Sequence, residues 1–174
     1  MVAIISLKLV AYGNTAKNAD GSFTCQHGVG ECESDSLELC TQYKLGDISS
    51  IDTGDTSLEA WPYILCMEEK EGDPSASQGC YENNMNVTAL PYAEISKCQE
   101  KEYDLVMNAA KTATPKHDYV PWCLVGGLLL ENSNLLQKAI CDAYTGVKPA
   151  SCRSLQGEAE FPLVAKCIPG FHKH

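Results

Sequence analysis

Cys25, Cys32 and Cys40 stand in the stretch CQHGVGECESDSLELC, with His27 and Glu31 between the first two. Thiols, an imidazole and a carboxylate this close together admit three chemistries. They can bind zinc, for which thiolate and imidazole are common ligands. They can exchange disulfides, which takes one thiolate to attack and a second to resolve the mixed disulfide. They can also be oxidised staples that do no chemistry at all. The spacings do not match the close Cys pairs of zinc fingers, so no metal is expected. A redox pair stays open, and structural disulfides are the favoured reading.

The rest of the chain points the same way. Ten cysteines are dispersed over 174 residues, a density that belongs to an oxidising compartment. Asn86-Val87-Thr88 is an N-glycosylation triplet. A formal net charge of −10 argues against nucleic acid or anionic membranes as partners. No apolar run is long enough to insert into a bilayer, and no cofactor motif is present. The opening residues MVAIISLKLVAYGN lack a basic leader, and Lys8 interrupts their apolar run. The expectation is therefore a chain that begins partway through a longer precursor.

These residues need elements to hold them. Ile4 to Val10 alternates and reads as a strand. Ser34 or Asp35 is a candidate cap for a short helix ending near Leu45. Thr56-Ser57-Leu58-Glu59 fits a capping box before Trp61, Ile64 and Leu65, with Pro62 in conflict with a helix there. Trp61 and Trp122 are expected in the core. Glu94 to Thr112 is the most regular helical stretch. TPKHDYVP is extended, because each proline pushes the residue before it toward β or polyproline geometry. WCLVGGLLL reads as a hairpin turning at Gly126-Gly127, and Ser133 caps a last helix stopped at Gly146. A terminal strand–strand–helix preceded by a loop proline is the second half of a thioredoxin-like α/β fold. Cys141 lies on that last helix and Cys152 follows Pro149, so the chain can fold back and bond the two.

Cys25, Gln26, His27, Gly28, Glu31, Cys32 and Cys40 match in register a family signature: Cys-Gln-His-Gly, two residues, Glu-Cys, two residues, Asn, four residues, Cys. On these residues the chain resembles the gamma-interferon-inducible lysosomal thiol reductase (GILT) family. Asp35 stands where the family has Asn. LVAYGN, CMEE, HDYVPW and ICDAYTGVKPASC resemble further family segments, so the likeness covers residues 3 to about 152.

The resemblance implies a thioredoxin-like, glycosylated protein, lysosomal or secreted, that reduces disulfides of unfolding proteins in acid compartments. It implies a Cys-X-X-Cys pair upstream of the first strand of this chain. No Cys-X-X-Cys occurs in these residues, so no catalytic residue is assigned. The expected fold is α/β and thioredoxin-like, incomplete at the N-terminus, with the first strand and catalytic helix absent and a cysteine-rich helical insertion. Residues 1–152 form that domain and 153–174 a C-terminal tail. By the same resemblance Pro121 is the cis-proline, and Val120, Pro121 and Cys123 line the substrate groove. Cys123 falls where the family has an aliphatic residue, so it is either a small buried hydrophobe or a lone thiol beside the groove.

Two functions remain. One is a thiol–disulfide oxidoreductase whose catalytic pair is outside this chain, which is then inactive alone. The other is a non-catalytic secreted binding module derived from that family. Partners are disulfide-containing or unfolded proteins. A sheet missing its central strand also invites strand-mediated association with another chain.

Overall fold

The structure is a computed structural model that describes residues 4–153. The described residues divide into two compact units, Ser6–Asp118 on one hand and residues 119–153 with residues 4 and 5 on the other.

In the first unit a small antiparallel ribbon, β1 (Ala16–Lys17) and β2 (Phe23–Thr24), leads into helix α1 (Val29–Leu45). Short α2 (Ser50–Thr53), α3 (Ser57–Glu69), α4 (Ser77–Asn84) and long α5 (Tyr92–Ala113) follow. On α3, Ala60, Tyr63, Ile64 and Met67 recur at helical spacing and are buried. They meet Leu39 and Cys40 of α1 and Ile95, Cys98, Val106 and Met107 of α5 in one apolar core. Disulfides tie these helices together: Cys40–Cys98 joins α1 to α5, and Cys66–Cys80 joins α3 to α4. Between them Tyr63 and Tyr81 pack edge to face at 5.6 Å, and the Tyr63 hydroxyl meets Ser77 Oγ at 2.7 Å.

The second unit holds the hairpin β3 (Cys123–Val125) and β4 (Leu128–Leu130), then α6 (Leu136–Ala143) and α7 (Ala150–Arg153). Gly126 and Gly127 both take positive φ, 58° and 81°, as a two-residue turn of this hand requires. Val125, Leu130 and Ala139 form its small core. Cys141 and Cys152 are disulfide-bonded, Cα to Cα 5.4 Å. The tail expected at 153–174 lies, beyond Arg153, outside the described residues.

Several expectations are corrected. The fold is mixed and helix-rich, and among the described residues the strands form two two-stranded ribbons. Residues 5–10 are not a strand. A strand needs a partner ladder, and here side chains take its place. Leu9 N–H donates to Ser57 Oγ at 3.0 Å, and Gln42 Nε2 donates to Leu9 O at 3.2 Å. Ser57 Oγ also donates to Gln42 Oε1 at 2.9 Å, closing the ring. Both backbone groups of Leu9 are thus satisfied without a sheet. Gly54, at φ 77°, lets this segment come close: a Cβ there would lie 2.6 Å from Leu7 O.

Helix α1 starts at Val29, ahead of Ser34, because Glu31 in its first turn reaches back to the His27 amide at 2.6 Å. Thr56 flanks α3 without closing a capping box; its hydroxyl donates instead to Gln42 O at 3.1 Å. Pro62 sits inside α3, on its exposed side, where water can reach the carbonyl it leaves without a donor. Trp61 beside it is 39% exposed and not in the core.

Candidate functional site

Three separated segments meet at Asn14, the last residue of LVAYGN. Its Nδ2 donates to Gln26 Oε1 at 2.8 Å, and His117 Nε2 lies 3.3 Å from its Oδ1. Gln26 belongs to CQHG and His117 opens HDYVPW. The other His117 nitrogen, Nδ1, faces Pro115 O at 2.8 Å. Pro115 O and Asn14 Oδ1 are both acceptor oxygens, so the ring is held between two acceptors. An open pocket of about 310 Å³ borders this junction, with Thr15, Lys111, Thr114 and Lys116 around it.

The signature residues surround the start of α1. Cys25 and Cys32 are both buried and joined, Cα to Cα 5.5 Å. Thr15 Oγ1 donates to Cys25 Sγ at 3.2 Å. His27 Nδ1 and Glu31 Oε1 are 3.2 Å apart at the exposed rim. Gly28 takes φ 97°, which favours glycine at the residue that flanks the helix. Cys40 is committed to Cys98. The stretch is therefore stapled: its three thiols are oxidised, two of them to each other. Among the described residues no cluster of His, Cys, Asp and Glu has the geometry to hold a metal ion.

The residues expected to line a groove, Val120, Pro121 and Cys123, belong to the second unit. The Val120–Pro121 peptide is cis, and Val120 is 40% exposed. Tyr119 and Trp122 pack edge to face at 5.2 Å beside them. Cys123 is the free thiol among the described cysteines; it is half-buried and packs against the core of Val125, Leu130 and Ala139. Asn86 and Thr88 of the glycosylation triplet are exposed, between α4 and α5.

A model of the family described as gamma interferon inducible lysosomal thiol reductase matches residues 1–84. The gamma-interferon-inducible lysosomal thiol reductase of Carassius auratus is 33% identical, over 86% of this chain and 59% of its own length. The Mus musculus protein of the same name is 30% identical, over 89% of this chain and 61% of its own. A gamma-interferon-responsive lysosomal thiol protein of Arabidopsis thaliana is 27% identical, over 93% and 67%. The chain belongs to the GILT family. It spans about three-fifths of the length of the first of these relatives.

One feature of this GILT-family chain escapes a reading by motif. Asp35 and Glu38 on α1 turn inward. Burial, with the charges of Glu31 and Glu68, pushes the Asp35 carboxyl up to about 7. Burial, then Glu68 and Asp35, raises Glu38 well above the usual carboxylate range. The spacing of Glu31, Asp35 and Glu38 puts them on one stripe of a helix, but nothing in that spacing says that the stripe turns inward.

Proposed function

We propose that this chain is the disulfide-stapled scaffold and substrate groove of a thiol–disulfide oxidoreductase. It acts on protein disulfides in a lysosomal or secretory compartment. The 174 residues alone do not turn over disulfides. The observation that carries this reading is the state of the cysteines. Among the described cysteines eight are paired in four disulfides and Cys123 is free, and no two of the ten in the sequence have the Cys-X-X-Cys spacing. A single thiol that attacks a substrate disulfide forms a mixed disulfide and stops there, because nothing resolves it.

The groove reading rests on Val120 and Pro121. Exposed Tyr119, Val120 and Leu124 offer apolar contact to an extended substrate segment. The four disulfides favour an oxidising compartment. The exposed Asn86 triplet is the proposed site of a glycan. No helix among the described residues is long and apolar enough to cross a membrane.

The second reading, a secreted binding module without redox activity, draws on the same exposed apolar residues. The N-terminal sequence of the native protein, with a reductase assay on it, separates the two. An in-frame Cys-X-X-Cys upstream of these residues and turnover of protein disulfides support the oxidoreductase. A mature protein that starts near Val2 and binds unfolded protein without reducing it supports the module and overturns the first reading.

A further inference from the structure

Glu38 lies at the middle of α1 and is 6% exposed. Asp35, one turn earlier, is half-buried, and Glu31 begins the same stripe. Glu68, exposed on the last turn of α3, acts on both through its charge. Tyr63 of α3 also faces Glu38, and Tyr103 of α5 faces Asp35. These are phenols, not cations. His27 pairs with Glu31 at the outer end of the stripe. None of the ion pairs among the described residues includes Asp35, Glu38 or Glu68. A carboxyl group withdrawn from water with no cation beside it is tolerated when it keeps its proton.

We propose that the contact between α1 and α3 is a proton-loaded lock, closed when Asp35 and Glu38 are protonated and loosened when they ionise. As the pH rises, charge forms on buried Glu38 and half-buried Asp35, against each other and against the charge of Glu68, and the two helices part. The lock bears on α3, which Cys66–Cys80 staples to α4, so it controls the rigidity of that pair in particular. It does not depend on the redox reading above.

The direction follows from burial. Both carboxyls hold protons more tightly folded than unfolded, where such groups titrate near about 4. Their contribution is complete below that pH. It is lost as the pH rises, for Asp35 through about 7. A paired carboxylate would behave in the opposite way.

Hydrogen exchange on the 174-residue chain with intact disulfides tests this. The readout is the protection factor of the α1 amides from Cys32 to Gln42, corrected for intrinsic rates. It is expected to fall about tenfold or more between pH 5 and pH 8. Asp35→Asn and Glu38→Gln replace each carboxyl by a neutral group of the same shape, and each should reduce that fall. Glu33→Gln removes a charge from the exposed side of the same helix and should leave it unchanged. Equal or greater protection at pH 8 overturns the proposal. So does a fall that neither inward variant reduces, or one that Glu33→Gln reduces as much. If Glu38→Gln does not fold, Asp35→Asn, at the less buried position, decides alone.

Discussion

His117 Nε2 lies 3.3 Å from Asn14 Oδ1, two residues separated by 103 positions in sequence. Through its other amide atom Asn14 also holds Gln26. Segments that look independent in sequence are thus one assembly. The signature loop is anchored to the turn after residue 10, and that turn to His117.

Asn14→Ala removes both contacts. Asn14 is exposed, so the loss is modest, about 1 kcal/mol. The effect should be local. The amides of Thr15 and Gly28, bonded to Tyr12 O and Cys25 O, should lose protection while those in the middle of α5 do not. Uniform loss across α5 would show that Asn14 acts on the whole unit.

Gln42 and Ser57, both fully buried, hold Leu9 in place of a strand. Gln42→Ala leaves Leu9 O without its partner and opens a cavity, so roughly 2–4 kcal/mol of stability should be lost in urea unfolding. Ser57→Ala strands the Leu9 N–H and should cost about 1–3 kcal/mol. The two should be non-additive, because one ring contains both. Additive losses would mean that the ring is not cooperative.

The disulfides should differ in worth. Cys40–Cys98 closes the longest loop, a separation of 58, and Cys25–Cys32 the shortest, 7. In the chain-entropy model, replacing the first pair by alanines costs about 4 kcal/mol and the second about 2.5 kcal/mol. Denaturant titration of the two double variants checks the order, and the reverse order would contradict the topology described here.

Asn86→Gln should abolish the shift in gel mobility that glycosidase treatment produces in protein expressed through a secretory pathway. A shift that survives the substitution would show that the glycan is elsewhere.

What was legible in the sequence was local. The hairpin at Gly126-Gly127 was readable because two glycines with positive φ between apolar residues specify the turn. Helix α5 was readable from its period, within two residues at each end. The start of α1 was not, because the side chain that supports it, Glu31, follows a glycine instead of a usual capping residue. Residues 4 to 10 alternated like a strand, but alternation does not supply a neighbour. The backbone hydrogen bonds of Leu9 come from Gln42 and Ser57, residues with no local mark. Glu38 was hidden for a similar reason. A charged residue in a helix reads as solvent-facing until the packing of α3 against it is known.

The central claim is that these residues carry the GILT-type scaffold without a working thiol pair. Insulin reduction by the 174-residue chain between about pH 4.5 and 7, with a Cys-X-X-Cys thioredoxin as positive control, tests it most directly. The account predicts no turnover above the enzyme-free rate. Multiple turnovers that Cys123→Ser abolishes would contradict it and make the lone thiol of β3 a catalytic residue.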